Sequence, residues 1–192
     1  SGYTAGPGNK RNFFTWNKKR FRNPSEFFKR MKERGVVVSP NIKPGILKGH
    51  PYYESMKDVG CFIKTPDGLE VQEARWWGGP GAYYDFTNPA ARESWSNYLI
   101  KQLMEMGTTS VWNDNCEYDG IDERLAQCEY EGLKGTHGQL KSVQPTLMSY
   151  TSHLAASRFN PQVRPYVISR SGGAGIQRYA QTWAGDNPTC FD

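Results

Sequence analysis

The sequence predicts an α/β fold in which parallel strands alternate with crossover helices. Three observations carry this expectation. Two helices open with the same Asn-Pro entry, at Asn23-Pro24 and Asn88-Pro89, and a third begins at Pro145. Glycine stops the first two, at Gly35 and Gly107. A short β-branched or aromatic run follows each helix and reads as a strand: Val36-Val37-Val38 into Ser39-Pro40-Asn41-Ile42, residues 108 to 112, and Tyr166–Ser169. Such alternation builds a parallel sheet with helical crossovers.

Each element has local chemistry behind it. Asn23 can cap the first helix, Pro24 suits its first turn, and Glu26 stands at the capping-box position. Phe27, Phe28 and Met31 form its expected apolar face. The second helix carries Trp95, Tyr98, Leu99 and Leu103 at helical spacing, and the third carries Leu147, Tyr150, Thr151 and Leu154. Between the first strand and the second helix, residues 43 to 87 read as one long irregular stretch. Its prolines and glycines break regular structure, while its Trp and Tyr residues argue for an ordered, functional loop.

Two architectures fit this order, an open doubly wound sheet and a closed barrel. No G-x-G-x-x-G follows a strand, so the dinucleotide-binding form of the open sheet lacks its fingerprint. A barrel places its chemistry in the loops at the C-terminal ends of its strands, and chemistry-bearing residues of this chain sit in such loops. Three or four strands do not close an eight-stranded barrel. The expectation is therefore that residues 1–192 form the central segment of a larger domain, that further barrel strands and flanking β domains lie outside it, and that these residues alone fold poorly or are inactive.

Composition narrows the function classes. Hydrophobic residues make up 37% and aromatics 14%, a balance that suits a ring-lined binding cleft and an ordinary core equally well. The net charge of +5 gathers in Lys10, Arg11, Lys18, Lys19, Arg20 and Arg22, interleaved with Phe13, Phe14, Trp16 and Phe21. Without any zinc-finger or RNA-recognition signature, this reads as a solvated loop entering a helix, with no nucleic-acid partner. Cys61, Cys116, Cys128 and Cys190 show no C-x-x-C spacing. They read as free thiols, which points to a reducing compartment such as the cytoplasm. No apolar run reaches the roughly 20 residues of a membrane helix, and no membrane partner is expected.

The second strand runs into Trp112-Asn113-Asp114-Asn115-Cys116-Glu117. The third runs into Ser169-Arg170-Ser171 and then Trp183-Ala184-Gly185-Asp186-Asn187. Asp114 and Asp186 are thus two carboxylates in strand-following loops, each beside a tryptophan. Glycoside hydrolysis uses such a pair, one group at the anomeric carbon and the other protonating the leaving oxygen. An Asp after a strand is, taken singly, most often a helix cap or loop hydrogen-bonder. Glu117 reads as a structural bond within its loop, Asp85 as an anchor for the helix entry at Asn88-Pro89, and His50 as loop packing. His137 and His153 have no ligand spacing. Asp119, Asp122, Glu123, Glu129 and Glu131 read as a solvated acidic loop.

Resemblance adds specificity. The segment from Ser110 to Glu117 resembles the nucleophile motif of glycoside hydrolase family 31, a strand followed by W-x-D-x-N-E. RPYVISRSGGAGIQRYAQTWAGDN, from Arg164 to Asn187, is similar to that family's acid/base region. Trp76-Trp77-Gly78-Gly79, with Tyr84-Asp85-Phe86-Thr87-Asn88-Pro89, is similar to its W-P-G loop and P-D-F-T-N-P helix entry. The resemblance implies a (β/α)8 TIM barrel, of which this chain holds about three to four strand-helix units. It implies a retaining exo-α-glycosidase, most simply an α-glucosidase, acting on an oligosaccharide or α-glucoside. Asp114 falls on the nucleophile and Asp186 on the acid/base. Arg170 falls on the arginine that contacts substrate hydroxyls, and Trp77, Trp112 and Trp183 on subsite walls. No metal or organic cofactor is implied. Cys116 in place of Asn, and Gly78-Gly79 in place of Pro-Gly, depart from the pattern. An α-glucosyltransferase on the same scaffold, or a non-catalytic carbohydrate-binding protein, remains the alternative reading.

Overall fold

A computed structural model describes residues 4–6 and 10–188. The expectation that Cys190 is a free thiol lies outside the described residues. In chain order the elements are β1 (Thr4–Gly6), β2 (Lys10–Asn12), α1 (Pro24–Glu33), β3 (Asn41–Ile42), β4 (Gly45–Leu47), α2 (Tyr53–Asp58), β5 (Ala74–Trp76), β6 (Gly79–Tyr83) and α3 (Pro89–Leu99). Then follow β7 (Ser110–Asn113), β8 (Gln127–Cys128), β9 (Gly135–Thr136), α4 (His137–Leu140), α5 (Gln144–Phe159), β10 (Tyr166–Ser169) and β11 (Gln181–Thr182).

The central sheet is parallel, in the order β3, β7, β10, β11. Spatial order equals chain order, with no reversal. A doubly wound sheet turns back at a switch point, whereas a barrel adds each strand beside the last. The chain is a segment of a TIM barrel, carrying four of its parallel strands.

The helix entries form as their sequences require. Asn23 accepts the Glu26 N–H at 3.1 Å, and Asn88 accepts that of Ala90 at 2.9 Å. Glu26 itself reaches forward to Arg30 at 2.9 Å, so only half of the expected capping box forms. Phe28 is the buried residue of that helix's apolar face, while Phe27 and Met31 are only partly covered. The basic N-terminal region divides the same way. Phe13 and Phe14 are buried, with Phe14 edge-on to Trp95 at 5.0 Å, and Lys18, Lys19 and Arg20 face solvent.

Three expectations need correction. The strand of residues 36 to 42 pairs only at Asn41 and Ile42, and Val36 and Val37 are exposed. Val36 N–H still bonds the Met31 carbonyl at the end of α1 at 2.9 Å, Thr108 Oγ1 donates to the Val38 carbonyl, and no strand pairs with residues 36 to 38. Residues 43 to 87 are not one irregular loop. They fold into the antiparallel sheet β4-β6-β5 and the helix α2, because the paired Ile46 and Ala82 are buried and, on the other face of β6, Tyr83 packs edge-on against Trp76 at 5.0 Å. Finally, of the face expected for α5, Thr151 is buried and Leu147 packs partly buried against the core, while Tyr150 and Leu154 are only half-buried. Its buried face is Met148, Ser149, Thr151, Ser152, Ala155 and Ala156. Small side chains let it lie close to α3, β7 and β10.

A buried polar node ties the inserted region to α5. Gln144 is fully buried; it accepts the Phe86 N–H at 2.7 Å and donates to Asp85 Oδ1 at 2.9 Å. Asp85 also accepts from the Thr87 and Glu129 backbone N–H groups at 3.0 and 2.7 Å, which makes it the anchor at the α3 entry. Replacing Gln144 by Leu leaves a buried N–H and a carboxylate oxygen short of partners. This is expected to lower unfolding stability by about 1–3 kcal/mol, whereas Leu133→Ala at a 75% exposed site stays within about 0.5 kcal/mol. Denaturant titration of the two variants checks the contrast.

Candidate active site

The site is one row of the parallel sheet. Ile42 pairs with Asn113, Asn113 with Ser169, and Ser169 with Thr182. The next residues up, Lys43, Asp114, Arg170 and Trp183, therefore stand level with one another. Three backbone bonds seat the row: Asp114 N–H to the Ile42 carbonyl at 2.8 Å, Arg170 N–H to Asn113 at 2.9 Å, and Trp183 N–H to Ser169 at 3.3 Å. Side chains alternate faces along a strand. Asn41 and Trp112, two residues below Lys43 and Asp114, share the row's face. Ile42, Asn113 and Ser169 point the other way and are buried, Asn113 reaching Ser149 and Ser152 of α5.

Asp114 is 8% exposed and heavily bonded. Its Oδ2 accepts from Asn41 Nδ2 at 3.0 Å and from the Lys43 ammonium. Its Oδ1 accepts the Asn115 N–H at 2.9 Å and lies 3.6 Å from Arg170 Nη1. Burial alone would raise the carboxyl pKa. The bonds from Asn41, Lys43 and the Asn115 backbone, with the Lys43 charge, outweigh it and hold Asp114 below the ordinary carboxylate range. Burial lowers the Lys43 pKa, against the pull of Asp114.

Arg170 joins the acidic groups. Nη1 lies 3.2 Å from Asp186 Oδ2, and Nε binds Glu117 Oε1 at 2.9 Å. Burial opposes its charge, but Glu117, Asp186 and Asp114 together raise its pKa. Glu117 therefore bonds the neighbouring strand's arginine rather than its own loop. Asp114 and Asp186 share one guanidinium nitrogen, so these two oxygens are no more than about 7 Å apart. That bound includes the about 5–5.5 Å of a retaining pair and leaves only the lower edge of the inverting range. Asp186 is exposed on the cleft side.

The row opens into a cleft of about 550 Å³, lined by Lys10, Arg11, Phe13, Lys43, Trp76, Trp77, Gly78, Asp114, Asn115, Arg170 and Asp186. Trp77 is 65% exposed, with the Lys43 ammonium 5.1 Å from its ring centre. Trp112 and Trp183 meet edge to face at 5.3 Å beside the row and do not line this cleft. Sequence reasoning thus brought Asp114, Asp186, Arg170 and Trp77 to one cavity. It missed Asn41, Lys43 and Trp76. Trp76 stood inside the matched Trp76-Trp77-Gly78-Gly79 loop, whereas Asn41 and Lys43 had position alone as their signal, on either side of Ile42 at the end of β3.

The departures have local explanations. Gly78 has φ of +115°, which proline, fixed near −65°, does not adopt. Asn115 takes the left-handed φ of 48° that turns its amide toward Lys43. Cys116 is buried away from the cleft against Ser169 Oγ at 3.5 Å. His50 packs between the Phe13 carbonyl at 2.7 Å and the Tyr52 N–H at 3.0 Å. Among the described residues, no group of three His, Cys, Asp or Glu is arranged to hold a metal ion, and no helix is long and apolar enough to cross a membrane.

Residues 3–192 match the model for the glycosyl hydrolases family 31 TIM-barrel domain. Neutral alpha-glucosidase C of Mus musculus is 33% identical over 91% of this chain and 20% of its own length. Alpha-glucosidase 2 of Bacillus thermoamyloliquefaciens is 28% identical over 93% of this chain and 23% of its own. The dextranase of Flavobacterium johnsoniae, solved with glucose, superposes with a TM-score of 0.83 at 24% identity, covering 97% of this chain and 23% of that one. The chain spans about a fifth of the length of the curated relatives it matches.

The thiols give a direct check on the packing of the core, with Cys116 reporting on the side nearest Asp114. Burial pushes Cys61 and Cys116 up, and Cys128 up to about 12. Thiolate is the reactive form. With Cys190 replaced by Ser, alkylation by iodoacetamide at pH 8 is expected to be at least about tenfold slower in the native protein than in denaturant. Peptide mapping reads each site separately.

Proposed function

The chain belongs to glycosyl hydrolase family 31, and from that premise we propose that it carries the catalytic pair of a retaining α-glycosidase, most simply an α-glucosidase. One observation carries the reading: Asp114 and Asp186 face the same cleft and share Arg170 Nη1. The relatives named alpha-glucosidase support the substrate class.

Asp114 is the nucleophile. Its depressed pKa keeps it ionised at neutral pH, ready to attack the anomeric carbon. Asp186, exposed to the cleft and reached by solvent, protonates the departing oxygen and then takes a proton from incoming water. Arg170 fixes the spacing of the two carboxylates and offers N–H groups to sugar hydroxyls. Trp77 supplies a flat wall to the sugar's apolar face. Trp112 and Trp183, which the resemblance places on subsite walls, meet edge to face outside the lining of this cleft. Residues 1–192 then form the central, chemistry-bearing segment of the catalytic domain.

Mechanism-based trapping tests this assignment. The protein treated with 5-fluoro-α-glucosyl fluoride is expected to carry its label on Asp114, read by peptide mass spectrometry. Asp186→Asn is expected to lower kcat by about 10²–10⁴-fold on substrates with poor leaving groups, with a smaller loss on activated aryl glucosides. A label on any other residue contradicts the assignment.

A further inference from the structure

We propose that Lys43 is a positioning residue for the nucleophile, clamping Oδ2 of Asp114 so that Oδ1 is the oxygen that bonds carbon. The inference rests on the reading of Asp114 as nucleophile.

Lys43 is 5% exposed, and its ammonium spans Asp114 Oδ2 and Asn115 Oδ1 beneath the face of Trp77. A buried ammonium is tolerated only when paired, so its contacts fix it in place. Asn41 Nδ2 adds a second donor to the same oxygen at 3.0 Å. Both donors come from the end of β3, so Oδ2 is held from that side. Oδ1 is held differently. It accepts one backbone N–H and faces Arg170 Nη1, the nitrogen that also holds Asp186. It is therefore the oxygen on the side where the glycosidic bond breaks.

The two chemical steps use this asymmetry in opposite senses. In the first, Oδ1 bonds the anomeric carbon as the glycosidic C–O bond breaks and the leaving oxygen takes the Asp186 proton. Asp114 loses its negative charge, and Oδ2 becomes the ester carbonyl oxygen beside Lys43. In the second, water bonds the anomeric carbon and gives its proton to Asp186, while the carbon–Oδ1 bond breaks. The carboxylate regains its charge against the waiting ammonium. Lys43 therefore assists departure of Asp114 more than its attack. The other charges around Asp114 are Arg170 after β10, with Glu117 and Asp186 bonded to it, and Lys10 and Arg11 on β2 across the cleft. All of them stay in place when Lys43 is neutralised.

The test uses Lys43→Met and Lys43→Gln, the second keeping an N–H donor for the same oxygens if the first fails to fold. In either variant the acid limb of kcat/KM is expected to move up by about one pH unit, as an ion-paired carboxylate loses its cation. At the wild-type optimum, kcat and KM are expected to fall together by at least about tenfold, because the glycosyl-enzyme accumulates when its breakdown slows. A merely structural lysine lowers kcat and kcat/KM in parallel and leaves the acid limb in place, and that result overturns the proposal. Trapping of the wild-type protein separates the two ideas. A label on Asp114 with an unmoved limb removes the Lys43 role alone; a label elsewhere removes both.

Discussion

Parallel pairing of β7 with β3 on one side and β10 on the other sets the height of Lys43, Asp114 and Arg170 in the cleft. The register places Ile42, Asn113, Ser169 and Thr182 in one hydrogen-bonded row. The residues one step beyond it leave the sheet together. A slip of one residue in any strand would turn its site residue toward the helices. Burial of Ile42, Asn113 and Ser169 on that opposite face is what forbids the slip. The small residues of α5 belong to the same constraint, since Ser149 and Ser152 bond Asn113 directly. The chemistry above the sheet is thus registered by packing below it.

Above that row, charge does the finer positioning. Three acidic groups, Asp114, Glu117 and Asp186, converge on Arg170, and Lys43 holds Asp114 from the other side. A buried carboxylate without partners would drift toward the neutral acid. Here the cations and amides outweigh burial, so Asp114 stays ionised in a water-poor place. Asp186 lies in open solvent and has Arg170 as its ion partner. Two carboxylates on neighbouring loops thereby acquire different surroundings, which is the condition for giving them different roles.

Much of this was legible because strong local rules coincided. Asn-Pro entries with Asn side-chain caps, glycine stops, and β-branched runs each pointed to the same α/β order, and Tyr166–Ser169 is a strand over the residues read from sequence. Asp114 and Asp186 were legible because motif and strand-end position agreed. The antiparallel insertion of residues 43 to 87 was not. Its strands are three to five residues long, and β6 is mostly Gly and Pro, so no period-2 pattern rose above the loop background. The core face of α5 was missed for a related reason: close packing there selects Ser and Ala, which a search for large apolar residues passes over. Lys43 stood between Ile42 and Pro44 with no motif around it. Only the pairing of β3 with β7 shows that its side chain meets Asp114.

The central claim is that Asp114 and Asp186, spaced by Arg170, act as a retaining pair. Proton NMR of the sugar first released from an aryl α-glucoside measures this directly, before mutarotation mixes the anomers. The account predicts that the α-anomer appears first and the β-anomer grows in only at the rate of mutarotation. Initial release of the β-anomer would mean that water attacks in a single step, and the assignment of Asp114 as a covalent nucleophile would be wrong.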